Sequence, residues 1–174
     1  MSIRNLDFLF APRSVAVFGA SDRPHSVGAT VWRNLSRAYK GTLYPVNPKL
    51  AQLDGVPTWG SVADLPATPD LAVVCTPPAT VPGLIAELGE RGTRAAVVVT
   101  AGLTAKQKQA MLDAAKRHTL RILGPNCIGM LVPHLGLNAS FAHADAAPGP
   151  IAFVSQSGAL VTAMLDWANS RQIG

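Results

Sequence analysis

Short apolar runs that end at small or turn-forming residues recur along this 174-residue chain, and they constrain its fold most strongly. None of the runs alternates apolar with polar residues, which is typical of strands that are buried on both faces of a parallel sheet. Segments of helical periodicity separate them, as helices covering such a sheet require. The predicted strands are 14–18, 42–46, 70–75, 95–99 and 121–123, and the predicted helices are 27–39, 81–91 and 104–118. The pattern predicts an α/β fold, a Rossmann-like doubly wound parallel sheet.

Weaker patterns complete the predicted order of elements. A short strand at 56–59 and a brief helix at 62–65 follow the second strand, and residues 133–149 are rich in turn formers. A further strand at 150–154 and a helix at 158–171 form one βα unit, which cannot bury itself alone. We therefore interpret it as the first βα unit of a second, flavodoxin-like domain. The predicted division is 1–142 for the Rossmann-like domain, 143–149 for a linker and 150–174 for the incomplete second domain.

Composition narrows the class of partner. A hydrophobic content of 48% supports a packed core and excludes a disordered chain. No run approaches the roughly 18 apolar residues of a membrane span, and the N-terminus lacks the apolar core of a secretion signal. We therefore expect a cytoplasmic protein with no membrane partner. The net charge of +5 is spread over scattered basic residues, which favours a small anion over nucleic acid as the ligand.

The two cysteines, Cys75 and Cys127, stand far apart and belong to no metal-ligand spacing. Both follow apolar runs, so we interpret them as reduced, partly buried thiols. A nucleophilic role would need a base partner, and the sequence does not single one out. The sequence therefore predicts no metal site and no catalytic cysteine.

The turn after the first strand has the composition of a phosphate-binding loop. A glycine at a strand end, followed by small polar residues that open a helix, offers backbone N–H groups to a phosphate. The residues concerned are Gly19, Ala20, Ser21, Ser26, Val27 and Gly28. The dinucleotide spacing GxGxxG is absent. An ordinary βα turn also fits these residues, and the first position in a doubly wound sheet favours the phosphate interpretation.

The residues at the end of the second predicted strand indicate which class of coenzyme the chain could bind. NAD-binding proteins typically place an acidic residue there for the ribose 2′-hydroxyl, whereas this chain has Asn47, Pro48 and Lys49. A lysine without an acid suits a phosphorylated ribose, which both NADP and coenzyme A carry. Other strand ends would line the same edge, although tight turns would explain them separately. They contribute Thr76, Pro77, Pro78, Val99, Thr100, Ala101 and Asn126.

An ordered series of motifs resembles the nucleoside-diphosphate-forming acyl-CoA synthetases, relatives of the succinyl-CoA synthetase α subunit. The motifs are Gly19–Ser21, Tyr44–Lys49, Thr100–Gly102, Gly124–Gly129, Leu137–Phe141 and Ser155–Leu160. They extend over nearly the whole chain. The residues Leu165–Ala168 and Ile173–Gly174 also resemble the bacterial protein lysine acetyltransferases that contain this region.

The resemblance implies a role for each motif. The loop from Gly19 to Gly28 would hold the phosphates of coenzyme A. Lys49 would lie near the nucleotide end of the coenzyme, and Val99–Ala101 would line its pantetheine arm. The succinyl-CoA synthetase has Glu where this chain has Ala101. Residues 124–129 would lie near the thiol end. The helix start at Ser155, Ser157 and Gly158 would face a phosphate, which its N–H groups and dipole favour. A serine N-cap without a ligand is the alternative.

The resemblance also limits what this chain does alone. The family's phosphorylated histidine would lie beyond residue 174, and none of the four histidines here matches it. ATP or ADP and Mg²⁺ would act only through further domains or a β-type ATP-grasp subunit, so no catalytic residue is predicted. The expected function is binding of coenzyme A or acyl-CoA as the N-terminal domain of an acid–thiol ligase. The alternatives are the CoA-binding region of a GNAT-type lysine acetyltransferase, an NADP-binding domain and a stand-alone CoA-binding module.

Overall fold

The computed structural model describes residues 3–174, so Met1 and Ser2, at the start of the predicted first domain, lie outside the described residues. The elements in chain order are α1 (Asp7–Phe10), β1 (Ser14–Phe18), α2 (Val27–Ala38), β2 (Thr42–Val46), β3 (Gln52–Leu53), β4 (Val56–Pro57), β5 (Leu71–Val74), α3 (Val81–Arg91), β6 (Ala95–Val98), α4 (Ala105–Arg117), β7 (Arg121–Leu123), β8 (Gly129–Val132), β9 (Leu137–Ser140) and α5 (Gly158–Ser170). The five main predicted strands and the three helices between them are confirmed, with ends shifted by at most one residue.

Five strands form one parallel sheet in the order β2-β1-β5-β6-β7. The chain leaves β1 for β2 on one side and then crosses to β5 on the other, so the strand order reverses at β1. In open α/β sheets the ligand crevice lies beyond the carboxyl ends of the strands at such a reversal. The prediction of a doubly wound parallel sheet is confirmed.

Both faces of the sheet are buried, as the unbroken apolar runs predicted. Successive strand residues point to opposite faces, so Val15 and Val17 join one core cluster while Ala16 and Phe18 join the other. Helix α2 covers the first face, and α3 and α4 cover the second. The helix residues buried in these clusters are Val31 and Leu35 of α2, Ile85 and Leu88 of α3, and Met111 of α4.

Local capping explains where the helices begin and end. The Ser26 hydroxyl accepts a hydrogen bond from the Ala29 N–H (3.2 Å) at the start of α2. Thr104 and Gln107 form a reciprocal capping box at the start of α4. Gly92, with a φ of +101°, ends α3 in the left-handed conformation that glycine adopts without strain.

Two antiparallel hairpins were not predicted. β3 pairs with β4, and β8 pairs with β9 inside a segment that was predicted partly as loop. The predicted strand at 56–59 shortens to two residues, while Trp59 forms an isolated bridge to Val46. The predicted brief helix at 62–65 is wrong. Those residues form turns, since Val62 and Leu65 are buried against the sheet without a helical segment around them.

The predicted strand at 150–154 is also wrong in this structure. These residues have no strand assignment, and Ile151, Phe153 and Val154 are exposed by 65%, 46% and 94%. A strand requires a hydrogen-bonded neighbour, and no strand of residues 3–174 pairs with this segment. The following helix α5 is confirmed, and its Leu165 packs with Ile128 and Ala142.

The search for membrane-spanning segments covered residues 3–174. No helix among them combines the length and the apolar character needed to cross a bilayer.

Replacing Gly28 by alanine should destabilise the protein by at least about 2 kcal/mol, because its Cβ would lie only 1.9 Å from the Gly19 carbonyl oxygen. Gly83→Ala is the matched control, since a Cβ there meets nothing within 4 Å, and it should stabilise α3 by about 0.5 kcal/mol. Urea unfolding would measure both changes. Equal stability of the two variants would contradict this account of the β1–α2 contact.

Candidate functional site

A cleft of about 650 Å³ opens at the carboxyl edge of the sheet. It lies where the chain leaves β5, β6 and β7, and the starts of α2 and α5 close its sides. The lining residues are Val27, Cys75, Thr76, Val99, Thr100, Ala101, Asn126, Cys127, Ile128, Phe141, Gln156, Gly158, Ala159 and Thr162. None of them carries a charged side chain. Recognition of an anion in this cleft would therefore depend on backbone N–H groups and helix dipoles.

The loop after β1 is folded tightly against the neighbouring strand ends. The Gly19 N–H donates to the Val46 carbonyl (3.0 Å), and φ at Gly19 is +85°. A Cβ on Gly19 would lie 3.0 Å from the Cys75 carbonyl oxygen, so a side chain there would crowd the end of β5. Gly28 packs the first turn of α2 directly against Gly19. The first N–H groups of a helix have no intrahelical acceptor. In α2 the Ser26 hydroxyl accepts that of Ala29, and the packing places the helix start at the sheet edge, where Val27 lines the cleft.

The predicted ligand residues after β2 have different surroundings. Asn47 forms hydrogen bonds within the protein, whereas Lys49 is an exposed cation. The Asn47 side chain donates from Nδ2 to the Ala20 carbonyl (2.7 Å) and accepts the Lys49 N–H at Oδ1 (2.8 Å). Asn47 thus ties the β1 loop to the end of β2. Pro48 and Lys49 are exposed, and Lys49 lies outside the cleft lining.

Hydrogen bonds between strand ends fix the floor of the cleft. The Thr100 hydroxyl donates to the Thr76 carbonyl (2.8 Å), and the Asn126 N–H donates to the Thr100 carbonyl (3.0 Å). Pro77 and Pro78 begin the one-turn 3₁₀ helix Pro78–Thr80, which leads into α3. The backbone of three consecutive strand exits is therefore held in one piece.

The start of α5 forms the opposite wall. The Ser157 hydroxyl caps the helix by accepting the Leu160 N–H (3.3 Å), and the Ser155 hydroxyl accepts the Ser157 N–H (3.0 Å). Gly158 lines the cleft with Ala159 and Thr162. Both serine hydroxyls are thus used within the turn, as in an ordinary N-cap, while the helix start itself faces the cleft.

Both cysteines are free and partly buried, as predicted, and the fold brings them to one cleft. The Cys127 thiol lies 3.4 Å from the Val98 carbonyl oxygen. Burial raises the pKa of Cys127, and burial together with the nearby Cys127 raises the pKa of Cys75 from 9.0 to about 12. Neutral thiols therefore line this part of the wall. Among residues 3–174 no cluster of three metal-ligating side chains occurs.

The four histidines lie away from the cleft lining. His25 is exposed in the β1 loop, and His134 belongs to the one-turn helix before β9. His118 ends α4 and packs on Gly89, where a Cβ would lie 2.5 Å from its ring. His143 contacts Asp166 at 2.6 Å on the surface.

The fold brings seven of the predicted site residues together in the cleft: Val27, Thr76, Val99, Thr100, Ala101, Asn126 and Gly158. Four further predicted residues do not line the cleft but hold the β1 loop in place through the contacts described above: Gly19, Ala20, Gly28 and Asn47. Seven lining residues were not among the individually predicted site residues, although Cys127 and Ile128 lie in the segment 124–129 expected near the thiol end: Cys75, Cys127, Ile128, Phe141, Gln156, Ala159 and Thr162. Most of them directly follow a strand or belong to a motif noted in the sequence. Their position after a predicted strand could therefore have identified them as lining residues. The role of each site residue in ligand binding stays a prediction.

Alkylation of Cys75 by iodoacetamide should become about tenfold faster per pH unit from pH 8 to pH 10.5, with no plateau near pH 9. The reason is the raised pKa, about 12, since the thiolate fraction still grows over this range. Peptide mass spectrometry would separate Cys75 from Cys127. The chain unfolded in urea is the control, and its rate should level off above about pH 9. A native rate that levels off there would contradict the shifted pKa.

The raised pKa of Cys75 also links stability to pH. The folded state holds this proton more tightly than the unfolded chain, so the contribution to stability is complete below pH 9 and is lost as the pH rises towards 12.

The sequence of this chain is similar to those of coenzyme-binding proteins. A family model described as a CoA binding domain matches residues 13–133. The chain is 38% identical over 175 residues to the ADP-forming acetate–CoA ligase I of Archaeoglobus fulgidus, covering 97% of this chain and 25% of that protein. It is 38% identical over 161 residues to the α subunit of the ADP-forming acetate–CoA ligase II of Pyrococcus furiosus, covering 89% of this chain and 35% of that one.

A solved structure shows the same fold. The dinucleotide-forming acetyl-coenzyme A synthetase 1 of Ca. Korarchaeum cryptofilum, in complex with phosphate and ADP, superposes with a TM-score of 0.90 and 37% identity over 97% of this chain and 38% of that chain. The chain thus spans only a quarter to about a third of the first curated relatives. None of these matches favours an acetyltransferase or an NADP-binding domain. From its five-stranded parallel sheet and the family model matched over residues 13–133, the chain belongs to the family of CoA-binding domains.

Proposed function

We propose that the chain binds coenzyme A or acyl-CoA across the carboxyl edge of the sheet, as the coenzyme-binding part of an ADP-forming acyl-CoA synthetase. The observation that carries the proposal is the convergence of two helix starts, α2 and α5, with three strand exits on one uncharged cleft. Such a cleft offers N–H groups to phosphates and a neutral path to an amide-containing arm.

The parts of the coenzyme are assigned to parts of the edge. Gly19 and Gly28 let the β1 loop and the start of α2 pack closely at the sheet edge, and the loop between them is assigned to the phosphates. Lys49, exposed beyond β2, is assigned to the phosphorylated ribose. Val99, Thr100 and Ala101 lie along the floor and are assigned to the pantetheine arm.

The whole enzyme's chemistry belongs to the proposal and not to this chain alone. The parent reaction would convert acyl-CoA, phosphate and ADP into acid, CoA and ATP, with the phosphoryl group carried by a histidine outside these 174 residues. This chain's residues would bind and orient the coenzyme. Because two relatives are named as α subunits, we propose that further domains or a β-type ATP-grasp subunit supply the nucleotide site.

The exposed segment at 150–154 supports the predicted second domain. Ile151, Phe153 and Val154 form an apolar stretch without a neighbouring strand among residues 3–174, and Leu160 and Trp167 of α5 are half-exposed. A sheet that added strands beside this segment would bury it. We propose that residues 150–174 begin such a domain. A cytoplasmic location, and the absence of nucleic acid and membrane partners, stay predictions.

Calorimetric titration should show binding of CoA and none of NADPH. Ala159→Arg should weaken CoA binding at least about tenfold, because its side chain would enter the cleft from the first turn of α5. Ala110→Arg, on the exposed face of α4, is the matched control and should leave the affinity unchanged. Binding of NADPH without CoA would overturn the proposed function.

Lys49→Ala should weaken CoA more than dephospho-CoA, by about 1 kcal/mol or roughly fivefold, the value of an exposed charge pair. Lys40→Ala is the matched control, because Lys40 is exposed before the amino end of β2 while Lys49 follows its carboxyl end. The difference between the two ligands should shrink in high salt. An equal loss for both ligands would contradict the assignment of Lys49.

A further inference from the structure

Asp145, outside the cleft, joins three separate parts of the fold. Its Oδ2 accepts from Arg37 Nη1 of α2 (2.6 Å), and its Oδ1 accepts from Asn138 Nδ2 of β9 (2.6 Å). Its main-chain carbonyl accepts from Asn169 Nδ2 in the last turn of α5 (2.9 Å). One residue thus contacts the helix that starts at the phosphate loop, the β8–β9 hairpin and the helix that forms the far wall.

The contacts of Asp145 continue into a buried polar network. Ser140 donates from its hydroxyl to Asn138 Oδ1 (2.5 Å), and Asn34 of α2 donates to the carbonyls of Ser140 (3.0 Å) and Ala142 (2.9 Å). Asn34, Asn138 and Ser140 are each at most 4% exposed. Buried polar groups are costly unless every partner is in place, so such a network favours a single arrangement.

The ion pair between Arg37 and Asp145 contributes less to stability than the hydrogen bond from Asn138. The Arg37 and Asp145 side chains are 51% and 45% exposed, so water screens their attraction. The Asn138 amide is buried, and removing its acceptor would leave an unsatisfied donor. The acceptor function of Asp145 therefore matters more than its charge.

The other contacts of α5 are few. Its Leu165 and Val161 pack in one small apolar cluster, and its Asp166 contacts the exposed His143, while most of the helix surface is exposed. The other members of that cluster are Ile128, Ala142, Ala144 and Ala146. Yet its first turn forms one wall of the cleft, opposite the start of α2. At the other end of the helix, Asn169 makes the polar contact with the Asp145 carbonyl.

We propose that Asp145 is a positioning residue that fixes α5 as a wall of the cleft and couples ligand binding to the order of residues 143–170. The ligand half of this inference rests on the proposed function. The structural half requires no ligand. Coupling is reciprocal: if Asp145 sets the affinity for the coenzyme by ordering α5, the coenzyme must order α5 to the same extent.

Hydrogen–deuterium exchange on the whole 174-residue chain tests both halves. In Asp145→Ala, amides of α5 should exchange at least about tenfold faster, while those of β1, β5 and β6 stay protected. Asp145→Asn keeps an acceptor for Asn138 and should restore most of the protection. Asp166→Asn is the matched control, since it removes an α5 carboxylate whose partner is the exposed His143.

The second test measures hydrogen exchange in the presence of CoA and the affinity of each variant for CoA. Saturating CoA should slow exchange in α5, and Asp145→Ala should bind CoA roughly tenfold more weakly, with Asp145→Asn and Asp166→Asn near the original affinity. If the unaltered chain does not bind CoA, the proposed function fails while the ligand-free exchange still decides the structural half.

Two results would overturn the inference: unchanged exchange of α5 in Asp145→Ala, or equal acceleration in α5 and the central strands. Should Asp145→Ala fail to fold, Asn169→Ala removes only the α5 contact to the Asp145 carbonyl from an exposed position. Its α5 amides should also exchange faster, and no change there would contradict the proposal.

Discussion

The contact between Gly28 and the Gly19 carbonyl sets the geometry of the ligand edge. A Cβ at position 28 would lie 1.9 Å from that oxygen, so only glycine lets α2 approach the end of β1 so closely. The approach places the first turn of α2, whose leading N–H groups have no intrahelical acceptor, beside the point where the strand order reverses. A larger residue would move the helix away and widen the crevice. The binding capacity of the edge thus depends on a packing constraint within the backbone.

The remaining walls use few side-chain atoms for anything except structure. The polar side chains around the cleft form hydrogen bonds with neighbouring main-chain groups, as seen for Thr100, Asn47, Ser155 and Ser157. The cleft is lined by uncharged side chains, among them two thiols, and by no charged group. Such a surface does not bind an anion by ion pairing. It can bind one through preorganised N–H groups.

The sheet and its ligand edge were predictable because their causes are local in sequence. Runs such as Leu71–Val74 are apolar without alternation, and turn residues follow them directly. The hairpin of β3 and β4 was not predictable in the same way, since its two-residue strands depend on packing of Leu53 in the core. Nor could spacing reveal that Cys75 and Cys127 share a wall, because strand order sets that proximity and periodicity does not encode it.

The segment at 150–154 shows where a sequence pattern stops being sufficient. Its residues have the apolar composition of a buried strand, yet Val154 is 94% exposed because a strand's stability comes from its neighbours. Helix α5 next to it is nevertheless held, since the side chain of Asn169 reaches the Asp145 carbonyl and Leu165 packs with Ile128. Helix α5 is therefore held by contacts with residues between 128 and 146 and not by a neighbouring strand. The start of α5 thus forms a wall of the cleft, although residues 150–154 beside it are not paired as a strand.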